Sequence, residues 1–242
     1  MLKGLFIARA GMIPRQRRLE VVANNLANMN TIGYKKDELF YNKLIQAMAP
    51  DADGNMDTTY PLAEVTDFSP GILRKTDNPL DVAIVGNGFF TIQTEDGLVF
   101  TRNGNFALDS DGRLITQDGH PVLGKNGEIQ ISGGEVRITE NGNVMVNGEV
   151  VDQLRIATFE DPTLLTKIGQ NYFTDNDEAG MMLLSADEVH LKPGYLEGSN
   201  VNGIEEMVLM IGLYQEFELG QRTIVTMDRT LDKLINDAGK AE

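Results

Sequence analysis

Asn141-Gly142-Asn143-Val144-Met145-Val146-Asn147-Gly148 places a four-residue segment rich in strand formers between two Asn-Gly pairs. Asn-Gly and Asp-Gly favour tight hairpin turns, because a type I′ turn needs positive φ at both central residues. The same punctuation extends outward: five Asn-Gly and three Asp-Gly pairs fall between Asn87 and Gly148. The segments around them are short and rich in strand formers: 82–85, 89–93, 98–101, 113–116, 128–131, 135–139, 143–146 and 150–159. Short strands at this spacing predict a compact antiparallel β-domain of barrel or sandwich type.

The two ends read differently. Leu5, Met12, Leu19 and Leu26 fall seven apart, followed three residues later by Ala8, Arg15, Val22 and Met29. This is a coiled-coil-like seam. Pro14 interrupts it, so the helix is expected either to kink or to begin there, and Gly33 is the expected stop. At the other end Asn202 is a suitable N-cap with Glu205 three residues on. Ile204, Val208 and Ile211 open an apolar stripe that continues through Met210, Phe217, Ile224 and Leu231 at intervals of seven. Gly212 and Gly220 each cost such a helix ~1 kcal/mol, so it should form fully only on packing. The class is therefore α+β, with terminal helices pairing as a coiled-coil-like layer around a central all-β domain. The expected divisions are 1–40 (N-terminal helix), 41–66 (linker), 67–193 (β-domain) and 194–242 (C-terminal helix). The assembly interface is assigned to Leu5, Met12, Leu19, Val22, Leu26, Met29, Ile204, Val208, Ile211, Phe217, Ile224 and Leu231.

Charge reinforces the pairing. Residues 1–36 carry seven bases and one acid, whereas 196–242 carry nine acids and four bases. The whole chain has a formal net charge of −15 and a pI near 4.5, leaving no broad basic surface for nucleic acid. There is no cysteine, which removes disulfides, thiolate metal sites and cysteine nucleophiles. No apolar run approaches the ~20 residues of a membrane span, and Arg9 ends the early run Leu5–Ala8 before a signal-peptide core is reached.

Nothing reads as catalytic. His120 sits in a turn, Asp118-Gly119-His120-Pro121, and neither it nor His190 has a ligand or triad spacing. Three acidic clusters, beginning at Asp51, Asp109 and Asp175, mimic calcium loops but misplace the glycine or lack the closing glutamate, so ordinary turns are expected. Gly86-Asn87-Gly88 starts like a dinucleotide fingerprint but is followed by a strand. The expectation is no enzyme activity, no cofactor and no metal. The rival reading is a secreted β-domain that binds glycan or calcium.

Three motifs carry a resemblance. The first is Ala23-Asn24-Asn25-Leu26-Ala27-Asn28-Met29-Asn30-Thr31-Ile32-Gly33-Tyr34-Lys35. The second joins Asn78-Pro79-Leu80-Asp81-Val82-Ala83-Ile84 to Gly88-Phe89-Phe90 and Phe100-Thr101-Arg102-Asn103-Gly104. The third is Gly194-Tyr195-Leu196-Glu197-Gly198-Ser199-Asn200-Val201-Asn202. In this order they resemble the bacterial flagellar rod and hook proteins. The short middle and Gly119–Gly124 are most like the proximal-rod FlgF type, with the distal-rod FlgG type second. The resemblance implies a structural, non-enzymatic subunit of the basal-body rod that spans the periplasm and serves motility. It implies export through the flagellar type III apparatus without a cleaved signal peptide, and self-assembly with other rod and hook-type axial proteins. No nucleic acid or membrane insertion is implied.

Overall fold

The computed structural model describes residues 2–41, 62–169, 171–185 and 188–238. The chain forms two compact units, Met1–Ala27 with Asp37–Val65 and Asn202–Glu242, and Asn28–Lys36 with Thr66–Val201. It is α+β, with a helix towards each end and strands between.

The first unit holds α1 (Leu2–Ala27), α2 (Gly203–Ala238) and a two-stranded sheet of Asp37–Tyr41 with Leu62–Thr66. α1 passes continuously through Pro14, which excludes a start there. Pro14 is buried, so packing offsets the ~3 kcal/mol that an interior proline costs. The helix also stops earlier than Gly33. After Ala27, Thr31 donates from its backbone N–H to the Asn28 carbonyl (3.0 Å) and from its hydroxyl to Asn28 Oδ1 (3.1 Å), closing a turn. Met29, the last residue of the expected seam, therefore lies beyond the helix. α2 begins as expected: Asn202 Oδ1 accepts from the Ile204 N–H (3.2 Å) and its carbonyl from the Glu206 N–H (3.0 Å). The hydroxyls of Thr223, Thr226 and Thr230 donate to the carbonyls of Leu219, Arg222 and Thr226, each four residues back.

The second unit is built on a six-stranded antiparallel sheet. Its strand order is Thr166–Ile168, Tyr172–Thr174, Gly97–Thr101, Phe89–Thr94, Ile156–Phe159 and Met181–Leu183. The order is linear with two free ends, not a closed barrel. Both faces are covered. Phe90, Ile92, Val99 and Ile156 enter a large aliphatic core with Val82, Leu114, Ile129, Ile138 and Val144. Their neighbours Phe89, Phe100, Ala157, Phe159 and Phe173 form a second core on the opposite face. Adjacent residues of a strand point to opposite faces, so a doubly covered sheet reads as an unbroken apolar run. Phe68 completes the second core, its ring 5.5 Å from Phe89 and 5.1 Å from Phe173.

The hairpins correct the expected turn type. Only Asn147-Gly148 has positive φ at both residues, 52° and 89°. Asp109–Arg113, Thr116–His120 and Thr139–Asn143 share another device: residue one donates its N–H to residue five and accepts from the glycine at residue four. This is a type I turn closed by a left-handed glycine. In each, a side-chain oxygen of residue one also accepts from the N–H of residue five: Asp109 from Arg113 at 2.8 Å, Thr116 from His120 at 3.3 Å, Thr139 from Asn143 at 3.1 Å. The single strand expected at 150–159 is two, Glu149–Gln153 and Ile156–Phe159, in different sheets.

Candidate functional site

The residues singled out from the helical repeats do not share one environment. Val22 is buried, and Met12, Leu19, Leu26, Phe217 and Ile224 are half-buried. Met29 is exposed. Ile204, Val208 and Ile211 are 71%, 66% and 61% exposed, so this stripe faces away from the first unit. The side chains of Leu5 and Leu231 lie outside the described residues. Val21, buried beside Val22, escaped the heptad reading because it sits one place off its register, whereas buried Leu213 lies in register three residues after Met210. The helices do contact each other. At Gly220 an added Cβ would come 3.3 Å from Met12 Cγ, so the glycine admits close approach. Arg15 Nε lies 3.4 Å from Glu216 Oε2, and Arg17 reaches Glu64 at 2.8 Å. These ion pairs are half exposed and worth ~0–1 kcal/mol each. Asn25 pins the sheet to α1, donating from Nδ2 to the Asp37 carbonyl (2.9 Å) and accepting the Asp37 N–H (3.0 Å).

In the second unit the three sequence motifs meet at one buried cluster of charge. Lys35 and Glu197 are 0% and 1% exposed, with Nζ 2.6 Å from Oε1. Lys35 also donates to the Ser69 carbonyl (2.6 Å), and Glu197 Oε1 accepts the Gly71 N–H (2.9 Å). Arg102, 4% exposed, places Nη1 3.6 Å from Glu197 Oε2 and donates to the Gly86 carbonyl at 2.9 Å. Its guanidinium lies 5.0 Å from the Phe89 ring centre. One carboxylate thus serves two cations. Burial lowers the pKa of Lys35, with Glu197 opposing that shift. Burial lowers that of Arg102 too, again against Glu197.

Around the cluster the backbone is closely held. The Gly33 N–H donates to the Glu197 carbonyl at 2.8 Å. Asn200 accepts the Lys36 N–H at 2.8 Å and donates to the Asp67 carbonyl at 2.8 Å, joining three separate stretches of chain. Lys167 Nζ donates to the Lys35 carbonyl (2.8 Å) and sits 4.0 Å above the Tyr34 ring. Sequence reasoning quoted Lys35, Arg102 and Glu197 inside their motifs but gave them no role. The signal was the scarcity of charge: Lys35 and Glu197 are the lone charges of their quoted motifs, and Arg102 shares its motif with Asp81 alone.

The candidate chemistry is confined to turns. Asp109 accepts from the backbone of Asp111 and Arg113 and from Arg113 Nε (2.8 Å), and Asp175 accepts from the backbone of Glu178 and Ala179. The cluster at Asp51 lies outside the described residues. His120 packs edge-on to Tyr172 at 6.2 Å. Among the described residues no helix is long and apolar enough to cross a membrane.

The arrangement is one of packing surfaces and clamps. Residues 5–35 match the family described as flagella basal body rod protein, 83–146 the flagellar hook protein FlgE/F/G D1 domain, and 192–237 the flagellar basal body rod FlgEFG protein C-terminal region. The flagellar basal-body rod protein FlgG of Buchnera aphidicola (subsp. Baizongia pistaciae) is 31% identical, over 97% of this chain and 99% of that protein. This chain belongs to the flagellar basal-body rod family. FlgG of Agrobacterium fabrum is 33% identical over 94% of this chain and 96% of that protein. The flagellar hook-basal body complex protein FlhO of Bacillus subtilis is 30% identical over 99% and 100%. The chain is a structural rod subunit of the flagellum, in a family of axial proteins that serve motility and not an enzyme family.

Proposed function

We propose that the terminal helices are the assembling part of this rod subunit, joining coiled-coil fashion with helices of neighbouring copies and of other rod and hook-type proteins. The observation that carries this is the apolar face of α2. Ile204, Val208 and Ile211 stand at helical spacing, are each more than 60% exposed, and lie within the family-matched C-terminal stretch. Full burial of such side chains is worth ~1.5–3 kcal/mol each, a driving force unused in the single chain. A face on one copy that fits a different face on the next repeats without closing, which yields a helical filament. The remaining residues of the expected interface, including Phe217 and Ile224, belong to the same reading. Export through the flagellar apparatus without a cleaved signal accompanies it.

The position along the rod is a finer matter. The turn Gly119–Gly124 and short middle favoured the FlgF type, but several relatives over 30% identical are FlgG proteins, so we place the chain with the distal-rod type. Introducing Val208→Asp or Ile211→Asp should leave the melting of the subunit within a degree or two while abolishing rod incorporation and swimming. Motile cells carrying either change would refute the assembly face. Crosslinks from the second unit in isolated basal bodies that reach only export-proximal components would return the chain to the proximal type.

A further inference from the structure

We propose that Glu197 is a positioning residue that makes docking of the 28–36 segment conditional on the 194–201 segment, acting through Lys35. Residues 28–36 follow α1 directly, and 194–201 lead into α2, so both junction segments of the second unit depend on one carboxylate. Lys35 is wholly buried, and its Nζ has Glu197 as its anionic partner, with the Ser69 carbonyl supplying only a dipole. Arg102 already occupies the same carboxylate from the other side, and its Nε meets no acceptor. Without Glu197, docking 28–36 would place a second cation beside a buried guanidinium with no carboxylate in contact, Asp67 acting on Lys35 only at longer range while paired with Lys36. Burying unpaired charge is among the most costly events in a protein interior. Leaving the segment undocked avoids that cost, because Lys35 then returns to water. Once Glu197 is seated, its Oε1 draws in Lys35 and its carbonyl takes the Gly33 N–H, so one residue secures both the side chain and the backbone of the incoming segment.

The distinguishing prediction is a rescue. Glu197→Gln leaves two buried cations. Adding Lys35→Met returns the cluster to the single excess positive charge of the native protein. Amide hydrogen exchange in the full-length chain reads docking of 28–36 separately from the strand Phe89–Thr94. E197Q should accelerate exchange in 28–36 by roughly tenfold or more while 89–94 is unchanged, and K35M/E197Q should bring 28–36 back to near-native protection. Unchanged protection in E197Q would overturn the proposal, since Lys35 would then dock without its anion. So would a double variant no better protected than E197Q, which would make Glu197 a simple packing residue. Equal acceleration in 28–36 and 89–94 would equally overturn it, because docking would not be separable from global folding. Should E197Q fail to fold, K35M/E197Q must fold and protect 28–36, and its failure as well would end the idea.

Discussion

The Gly33 N–H donates to the Glu197 carbonyl at 2.8 Å, joining residues near opposite ends of the chain inside a single unit. Gly33 is held at φ +69°, and a Cβ placed there would lie 2.5 Å from the Asn103 backbone nitrogen. Gly33→Ala should therefore destabilise the second unit by more than about 2 kcal/mol, combining left-handed strain with a backbone clash. Gly119 has φ +86° but open space around it, so Gly119→Ala should cost only about 1 kcal/mol. Denaturant melts of the two variants test the difference, and equal losses would show that the contact at Asn103 carries no weight.

Fragment boundaries follow from the same joint. A fragment spanning 67–193 was the natural folding unit from sequence, but it lacks Lys35 and Glu197 and leaves Arg102 buried without its carboxylate. Fragment 28–201 should melt cooperatively, whereas 67–193 should be weaker by about 3–5 kcal/mol, the usual consequence of stranding a buried charge. Calorimetry of both fragments settles the matter, and matching transitions would contradict it.

On the alkaline side, Tyr172 reports folding. Burial first, then its hydrogen bond to Asp118 (2.5 Å), raises its pKa well above the usual 10. The unfolded chain therefore releases this proton before the folded one, so stability falls as pH rises past 10. Tyr172→Phe should flatten that fall. In ultraviolet titration of the native protein, Tyr172→Phe should remove the signal of one tyrosine that stays protonated until unfolding.

On the acid side Asp67 acts in the opposite range. Burial resists its ionisation, but hydrogen bonds from Ser69 and the nearby Lys36 and Lys35 outweigh it and hold its pKa below 3.8. Its stabilising contribution is complete above that value and is lost as pH falls through the lower folded pKa. Asp67→Asn should lower stability at neutral pH and shallow the acid limb of a stability–pH curve. The limb will not vanish, because Asp109 and Glu188 are shifted in the same direction.

The α+β layout was legible because its signals are local. Asn143–Val146 lies where its flanking Asn-Gly pairs put it, and Asn202 caps α2 through a contact two residues away. Tyr195–Glu197 was missed because its partner, Leu73–Lys75, is remote in sequence, and Tyr172–Thr174 because one partner, Gly97–Thr101, is remote and the short link to the other, Thr166–Ile168, carries no Asn-Gly or Asp-Gly pair. The seam was misplaced at its edges for a related reason. A heptad count identifies an apolar stripe but not whether a given stripe meets the chain's own helix, as at Leu213, or faces outward, as at Ile211. The charge cluster was invisible as a cluster because its members stand in three motifs far apart along the chain.

The back-bonded threonines of α2 change what that helix shows to its surroundings. Thr223, Thr226 and Thr230 spend their only hydroxyl protons on carbonyls of their own helix. None is left to donate outward, so these polar letters offer a neighbour methyl groups and oxygen lone pairs, and the end of the chain is oilier in practice than its spelling suggests.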